Sequence, residues 1–503
     1  MIPVLIAGGG PVGMTLALAL ARLGTRCLLV ERNPGTTLHP KMDITNARSM
    51  EIFAALGVAA DLRAVAVPEG HCFDVSWVTS MAGRELHRFR YPSVTEWRAR
   101  IAADDTCVLP GEPPMRVSQV EIEPVLARHV RAHPLIEARW GVGLEDCAQD
   151  AEGVTATLST GETVRAAYLA GCDGGGSRVR AALGIGLDGE FAVMRRFMTH
   201  FRSDDRGLLQ RFGVAWHYQS NRGTLIAQND RDIWTLHTRW SEGEAPDETD
   251  PRVLLRGFLG TEVEAEILVA NAWTPHLLVT RAYGRGRIWL AGDAAHQYIP
   301  TGGYGMNTGI GDAFGLAWKL AAAASGLGGA GLLPAYEAER LPVGRRNREA
   351  SGRHADIRRQ IGALYERPDP APGIAALGNA ENESWGIELG YHYAGSPIVA
   401  VDDERPSDDP LIYTPSTAPG ARLPSPGAAP LLPGLGPWFT LLHPGVPDAG
   451  LLDAAARRGL PLATLPWAGE TMLLVRPDQH IAWRGRTARH PDAILARALG
   501  HAV

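Results

Sequence analysis

The chain has 503 residues, of which 45% are hydrophobic and 21% charged, the balance of a globular protein too long for one ordinary core. Its formal net charge of -6 argues against a nucleic-acid partner, which would need a large basic surface. Five scattered cysteines include no C-x-x-C pair, which excludes a disulfide framework and a zinc knuckle. We therefore expect no metal site and a reduced, cytoplasmic protein.

The first residues enter an apolar strand pattern directly, with no charged segment before it, so no signal peptide is expected. The most apolar later run, residues 313–333, contains Lys319 and several glycines. This composition favours a core helix over a membrane span, and no membrane partner is predicted.

In chain order, the first predicted unit is a β-α-β unit. A buried-strand pattern in "VLIA" leads through a glycine-rich turn to a helix from about Pro11 to Leu23, and "RCLLVE" is a second buried strand. This order predicts a parallel sheet. Strand-like runs between residues 190 and 280, including "RRFMTHFR", "GVAWHYQ" and "IWTLHTRW", predict a separate, mostly antiparallel sheet. A further buried strand, "RIWLAGDAAH", and two helices follow.

The predicted fold class is mixed α/β: a Rossmann-like dinucleotide-binding domain, an interleaved antiparallel-sheet domain and a small C-terminal α/β domain. The first domain is assigned residues 1–72, 98–189 and 280–365, and the second, a substrate-binding domain, residues 73–97 and 190–279. Residues 366–437 are assigned to a linker segment, in which the stretch 397–437, with its ten prolines, is either a linker or a wrapping segment. Residues 438–503 resume regular patterns.

A glycine motif, Gly8-x-Gly10-x-x-Gly13, lies between the first strand and the first helix. Gly8 permits the tight turn, Gly10 lets the backbone approach a pyrophosphate, and Gly13 allows close helix–strand packing. The helix N-terminus adds free N–H groups and a positive dipole end. Glu31 ends the second strand at the usual distance for binding a ribose hydroxyl. Dinucleotide binding is therefore predicted, although this motif alone does not choose between FAD and NAD.

Two later motifs favour FAD. One is "AGCDGGGSRVR", and the other is "RIWLAGDAAHQYIPTGGYGMNTGIGDA". With the three motifs in this order and spacing, residues 1–355 resemble the single-component flavoprotein aromatic hydroxylases, the class A flavin monooxygenases. The later "LVRPDQHIAWRG" is similar to the phenol and chlorophenol hydroxylase branch, which includes relatives acting on aromatic polyketides. That branch has a thioredoxin-like C-terminal domain, and here the lack of a C-x-x-C pair excludes a dithiol redox role.

The resemblance implies a set of FAD-binding residues. In it, Arg48 neutralises phosphate charge, Asp173 serves both FAD and reduced nicotinamide, and residues 300–307 wrap the flavin ring largely with backbone atoms. The full set is Gly8, Gly10, Pro11, Val12, Gly13, Glu31, Arg32, Arg48, Gln119, Asp173, Gly292, Asp293, Pro300, Gly303, Gly305, Met306 and Asn307.

The resemblance also implies an activity. It is that of an NAD(P)H-dependent monooxygenase that hydroxylates a phenolic or polyketide-type aromatic compound with O2 through a flavin C4a-hydroperoxide. Two alternatives stay open. One is a Baeyer–Villiger-type oxygenase acting on a polyketide ketone, and the other is a non-catalytic FAD- or aromatic-binding protein. A homodimer is compatible with the sequence, and the choice between NADH and NADPH stays open.

Asp43 is the candidate catalytic base. In the phenol hydroxylase branch an aspartate precedes the flavin-contacting arginine by five residues, and here that spacing joins Asp43 to Arg48. A free phenol has a pKa of roughly 10, so a positioned base helps at neutral pH. The alternative is that Asp43 caps the following helix, a role for which Thr45 and Asn46 compete.

Three aromatic residues are candidate substrate contacts: Trp216, His217 and Tyr218. Alternation along a strand sends Trp216 and Tyr218 to one face and His217 to the other, and core packing is the favoured fate of the first two. His296, beside the flavin segment, is either a structural histidine or a proton carrier. Asp312 is expected to cap or pair on its helix.

Overall fold

The structure is a computed structural model that describes residues 1–41, 43–240, 249–382 and 384–502; residues 241–248 of the predicted substrate-binding domain lie outside this part. The glycine motif lies in a sheet whose five central strands are parallel. Their order is Ile288–Leu290, Thr163–Gly171, Ile2–Ala7, Cys27–Glu31 and Ile136–Trp140. Strands Leu144–Gln149, Val154–Leu158 and Gly284–Arg285 extend the sheet with antiparallel pairs. The predicted parallel sheet is confirmed.

Helices pack against this sheet and share its core. They are Pro11–Arg22, Gln119–Ala132 and Tyr304–Ser325. The last of these is buried along most of its length, which explains why residues 313–333 are so apolar. No helix among the described residues has both the length and the apolar run needed to cross a bilayer.

A second sheet of seven strands is built from two separate stretches of the chain, residues 75–89 and 196–273. Every neighbouring pair is antiparallel except His217–Ser220 with Val75–Val78. One face packs on a core with helix Pro251–Leu259, and the other borders a cavity. The strands, in sheet order, are Glu266–Trp273, Arg196–Arg202, Ile233–Arg239, Gly223–Ala227, His217–Ser220, Val75–Val78 and Glu85–Phe89.

Shorter elements connect the two sheets. The small strands are Leu187–Glu190, Leu277–Thr280 and His296–Gln297, which form one sheet, and Ile44–Thr45 with Met115–Arg116, which form another. The remaining helices before the Pro-rich stretch are Ala47–Ala55, Ala59–Val65, Val94–Ala102, Arg178–Ala182, Arg206–Leu209, the 3₁₀ turn Gly292–Ala294 and the long helix Leu332–Leu364.

The stretch 366–437 is packed against the rest of the protein, which agrees with a wrapping segment and not with a free linker. It contains helices Ala371–Asn382 and Trp385–Leu389 and the 3₁₀ turn Leu432–Gly434. Between the second helix and the 3₁₀ turn lie buried side chains, among them Tyr391, Tyr393, Tyr413 and Arg422. Proline fixes φ and removes a backbone donor, which suppresses regular structure. It does not prevent the aromatic and arginine side chains between the prolines from packing.

The C-terminal residues form a four-stranded sheet in the order Leu462–Pro466, Phe439–His443, Met472–Val475 and Ile481–Gly485, with helices Ala449–Arg458 and Pro491–Ala498. A parallel β-α-β unit precedes an antiparallel hairpin and a helix, which is a thioredoxin-like layout. This domain packs on helix Tyr304–Ser325, where the rings of Trp318 and Phe439 meet edge to face at 5.7 Å.

Buried charges join this domain to the rest of the protein. Glu339 accepts two hydrogen bonds from Arg476, at 2.6 and 2.9 Å, and pairs with Lys319 at 2.8 Å. All three side chains are inaccessible to solvent. Burial opposes the charge of Glu339, but Arg476 and Lys319 outweigh it and lower the pKa of this carboxyl to about 2. The cluster is therefore ionised at neutral pH.

We predict that Glu339→Gln lowers the free energy of unfolding by about 3–5 kcal/mol, because it leaves buried cations without their partner. Wild-type stability should also decrease as the pH is lowered. The stabilisation from ionised Glu339 is complete above the ordinary pKa of a glutamate and is lost as the pH approaches 2. Chemical denaturation measures both effects. The control is Glu470→Gln, whose exposed pair with Arg486 should contribute little; equal losses in the two variants would contradict the prediction.

Candidate active site

The glycine motif has the geometry that its spacing predicts. Gly8 has a φ of 106°, and a Cβ on it would lie 2.2 Å from the carbonyl oxygen of Cys172. A Cβ on Gly13 would lie 2.0 Å from the carbonyl oxygen of Gly8. Both glycines are therefore required by the packing of the protein itself.

A cavity of about 1190 Å³ opens at this motif, and we call it the glycine cavity. Most of the predicted FAD-binding residues line it, from four separate parts of the chain. They are Gly8, Gly10, Pro11, Val12, Glu31, Arg32, Gln119, Asp173, Asp293, Pro300, Gly303, Gly305 and Met306. The structure thus brings together residues that the sequence places up to 298 positions apart.

Two glycines of this lining have no packing reason to be glycine. A Cβ added to Gly10 or to Gly305 would meet no atom within 4 Å. The space beside both backbones is therefore open to a ligand that approaches closely. Each glycine also lies at a helix N-terminus, at Pro11–Arg22 and Tyr304–Ser325, where free N–H groups and the helix dipole favour an anion. A dinucleotide with its pyrophosphate fits this lining.

Polar side chains of the lining are held in place by local hydrogen bonds. One oxygen of Glu31 accepts from the Gly9 N–H at 2.7 Å, and the other accepts from Asn33. Asp173 caps the helix Arg178–Ala182 by accepting from the Arg178 N–H at 2.7 Å. Gln119 donates to Glu123 at 2.7 Å. These bonds fix the side chains before any ligand arrives.

Asp293 lies where the glycine cavity meets a second cavity. Its surface is open to the cavities, yet it is deep in the protein, and burial raises the pKa of its carboxyl. The turn that holds it is anchored by Asp312, which accepts from the Gly292 N–H at 3.1 Å and pairs with His296 at 2.8 Å and Arg340 at 2.7 Å. His296 is fully buried in this arrangement, and Asp312 pairs with side chains of other elements and not on its own helix.

Three predicted cofactor residues lie behind the lining. Gly13 and Gly292 pack against Gly8 and Val12 respectively. Asn307 accepts from the Asn46 N–H at 3.0 Å and donates to the Gly303 carbonyl at 2.7 Å. Asn307 therefore ties the segment that contains Asp43 to the Pro300–Gly305 wall.

The Arg48 side chain makes its hydrogen bonds within the protein. Its guanidinium donates to Glu51 at 2.9 Å, to the Asp478 carbonyl at 2.9 Å, to Tyr391 at 3.2 Å and to Gln479. It is 4% exposed and lines neither cavity. In this position its guanidinium contacts the C-terminal domain, and its contact with the flavin stays a prediction. No pattern near residue 48 indicates these contacts, because three of the four partners lie more than 340 residues away.

The second cavity has a volume of about 1230 Å³, and we call it the aromatic cavity. Its floor is the open face of the seven-stranded sheet, and one wall comes from the stretch that the sequence assigned to a linker. It shares Asp43, Asp293, Pro300 and Gly303 with the glycine cavity. Aromatic rings on its lining are Phe73, Tyr91, Trp97, Trp216, Trp273, Trp385 and Tyr413.

Asp43 lies at the boundary between the two cavities and forms a 2.7 Å pair with Nε2 of His217. It does not cap the following helix, because the Asn46 side chain accepts from the Ser49 N–H there. Burial opposes the charge of Asp43, but His217 outweighs it and lowers the carboxyl pKa. The Trp216 indole N–H, without a hydrogen-bond partner at normal distance, lies close enough to lower this pKa further.

The three candidate substrate contacts do not lie on the faces of the sheet that the alternation predicted. Trp216 and His217 both line the aromatic cavity and stack on each other at 3.9 Å. Tyr218 is fully buried on the other side of the sheet, where its hydroxyl donates to the Gly213 carbonyl. The alternation fails at Trp216 because the strand begins only at His217. Tyr218 is therefore a core residue and not a substrate contact.

The sequence reading missed several lining residues. His237 and Arg196 face the cavity from the sheet, and Glu388 faces it from the opposite wall. Burial lowers the pKa of His237 to about 4 and raises that of Glu388 to about 7. The period-two pattern of the strands could have indicated the first two, but nothing local could have indicated Glu388.

Comparison with known proteins agrees with these two cavities. Residues 1–351 match the family model described as FAD binding domain. The chain belongs to the FAD-dependent aromatic hydroxylases. It is 35% identical to the FAD-dependent monooxygenase apdD of Emericella nidulans, over 99% of this chain and 90% of the relative. It is also 35% identical to a putative polyketide hydroxylase of Streptomyces halstedii, over 84% of this chain and 76% of the relative.

Among solved structures, the hydroxylase resembles the flavin-dependent monooxygenase PieE in complex with FAD and substrate. The TM-score is 0.87 at 31% identity, and the match covers 99% of each chain. This protein is therefore a flavin monooxygenase, with FAD as its cofactor and NAD(P)H as reductant, and the non-catalytic alternative is wrong.

We predict that Gly10→Ala leaves this hydroxylase folded but weakens FAD binding at least tenfold, because the methyl group fills space that the pyrophosphate needs and the protein does not. FAD release on dilution, followed by flavin fluorescence, measures the effect. Gly257→Ala is the matched control, since its Cβ also meets nothing within 4 Å but lies away from both cavities. Unchanged FAD affinity in Gly10→Ala would refute the assignment.

Proposed function

We propose that this hydroxylase adds oxygen from O2 to a multi-ring phenolic substrate that occupies the aromatic cavity. The observation that supports this most strongly is the Asp43–His217 pair, which lies where the aromatic cavity meets the proposed flavin site. A proton acceptor at that boundary is within reach of a substrate ring positioned against the flavin.

The size of the aromatic cavity favours a substrate larger than one ring. Its volume of about 1230 Å³ exceeds the roughly 300–1,000 Å³ of ordinary small-molecule pockets. Its rings provide apolar surface on several sides, as an extended flat molecule requires. The similarity to a putative polyketide hydroxylase supports the same class of substrate.

The proton acceptor is the pair and not Asp43 alone. An ionised carboxylate only accepts hydrogen bonds, so Nε2 of His217 carries the proton between them, and Nδ1 of a neutral His217 keeps its lone pair. Arg116, which is buried nearby and donates to the Cys72 carbonyl at 2.9 Å, interacts favourably with the Asp43 charge. The hydrogen bond from His217 to the Asp43 carboxylate fixes the orientation of the imidazole, and the carboxylate charge stabilises the proton that the pair receives.

Removal of the phenol proton increases the electron density of the ring that is to be oxygenated. Bound FAD would supply the oxygen-activating chemistry, and the residues Pro300 to Met306 with Asp293 would hold it. The protein's own contribution is to orient the ring, to take the proton and to exclude water. Trp216, which stacks on His217 and meets Phe73 edge to face at 6.1 Å, shields the pair on one side.

We predict that Asp43→Asn slows hydroxylation of a phenolic substrate by about 10²–10⁴-fold, because the pair can no longer take the proton. Hydroxylation by the variant should recover as the pH approaches the phenol pKa of roughly 10, so the gap between wild type and variant should narrow toward alkaline pH. Product formation measured against pH by mass spectrometry tests this.

The control for this experiment is Asp204→Asn, an exposed aspartate outside both cavities, which should behave as the wild type. A wild-type rate and pH profile in Asp43→Asn would exclude the proposed role. A product with oxygen inserted beside a ketone would favour the Baeyer–Villiger alternative instead.

A further inference from the structure

Arg196 is a cation in the aromatic cavity for which the described residues provide no carboxylate. It is partly buried, and its Nε donates to the sulfur of Met194 at 3.2 Å. Arg202, on the same strand, has the ordinary arrangement: it is exposed and pairs with Glu266 at 2.6 Å and Asp232 at 3.4 Å. Within the described chain, no ion pair compensates Arg196.

Other cations surround it. Arg239 lies directly opposite Arg196 on the neighbouring strand. Arg358, from the long helix Leu332–Leu364, also lines the cavity and reaches Thr224 at 3.4 Å. Burial, together with repulsion from Arg358 and Arg239, lowers the pKa of Arg196 to about 10. Arg196 is therefore charged at neutral pH in a position where its charge is disfavoured.

The arginine cluster formed by Arg196, Arg239 and Arg358 lies several strands away from the Asp43–His217 pair. Between the strand of His217 and the strand of Arg196 there are three strand spacings, which is about 14 Å across the sheet. The lining between them is His237, Thr224 and Met198, which are cross-strand neighbours. His237, with its pKa of about 4, is neutral, and its Nδ1 has no hydrogen-bond partner among the described residues.

We propose that Arg196, with Arg358 beside it, binds a carboxylate of the substrate at the end of the aromatic cavity opposite the Asp43–His217 pair. A planar guanidinium matches a carboxylate with two parallel hydrogen bonds. The anion would neutralise a charge that the described protein leaves without an acid. This inference rests on the proposed function and deepens it: the substrate is a multi-ring phenol that carries an acid group remote from the ring that is oxygenated.

The test compares two probes that differ only in the acid group, 2-hydroxyanthraquinone and 6-hydroxyanthraquinone-2-carboxylic acid. Binding to the FAD-loaded enzyme is followed by the perturbation of flavin absorbance, without turnover. Wild-type enzyme should bind the acid at least tenfold more tightly than the neutral phenol. Arg196→Gln should remove that preference while its affinity for the neutral phenol stays within twofold of wild type, and Arg196→Lys should restore part of it.

The matched control is Arg202→Gln, which removes a cation from the same strand outside the cavity and should keep the preference for the acid. The proposal is overturned if wild-type enzyme does not prefer the acid, or if Arg196→Gln retains the full preference. It is also overturned if both probes lose affinity equally in the variant, since that indicates a general change of the cavity.

The experiment separates this inference from the proposed function, because binding and hydroxylation are measured independently. Selective binding of the acid through Arg196 without any hydroxylated product would support the anion site and contradict the hydroxylation of a phenol. Hydroxylation of both probes with equal affinities would support the proposed function and overturn the anion site.

Discussion

The hydrogen bond between Asp43 and His217 is the contact on which the arrangement of the two cavities depends. Asp43 precedes the short strand Ile44–Thr45, on the cofactor side, while His217 begins a strand of the seven-stranded sheet. A buried carboxylate needs a hydrogen-bond donor to remain charged. This bond therefore holds the segment of Asp43 and the seven-stranded sheet at a fixed distance from each other. The hydrogen bond between Asn46 and Asn307 extends this connection to the wall of the glycine cavity. A substrate ring between the Asp43 segment and the sheet would contact both the proposed flavin site and the proton acceptor.

The sequence was sufficient wherever function depends on local geometry. The glycine motif and the strand that ends at Glu31 are each specified by neighbours within a few residues, so their spacing predicts their position, while the segment Pro300–Met306 was expected from the family resemblance. The same holds for the antiparallel sheet, whose alternating strands face a core on one side and a cavity on the other. Asp43 was expected from the family resemblance through its spacing from Arg48, and it lies where the two cavities meet.

Failure came where partners are distant in the chain. Arg48 is held by Tyr391, Asp478 and Gln479, and no pattern near residue 48 refers to them. Trp216 was misplaced because alternation was extended one residue beyond the strand. The Pro-rich stretch was left open between a linker and a wrapping segment because prolines conceal regular structure, although the aromatic residues between them are buried. In each case tertiary contacts decided what local propensity left open.

The C-terminal domain keeps a thioredoxin-like layout without dithiol chemistry, and its surface toward the FAD-binding domain is rich in buried charge. Arg476 reaches Glu339 on the long helix, and Arg48 reaches back to Asp478. Such pairs require exact partners to offset desolvation, which fixes the orientation of the domain more strictly than apolar packing alone. The domain thereby supports the helix Tyr304–Ser325, whose first turn borders the flavin site.

The wall formed by Trp385, Glu388 and Leu411–Tyr413 comes from a part of the chain that shapes the substrate space and is separate from the part that contains the glycine motif. The family model ends at residue 351, before this wall begins. The wall lines the aromatic cavity and not the glycine cavity. Substitutions in it therefore reshape the space for the substrate and leave the residues around the glycine motif in place.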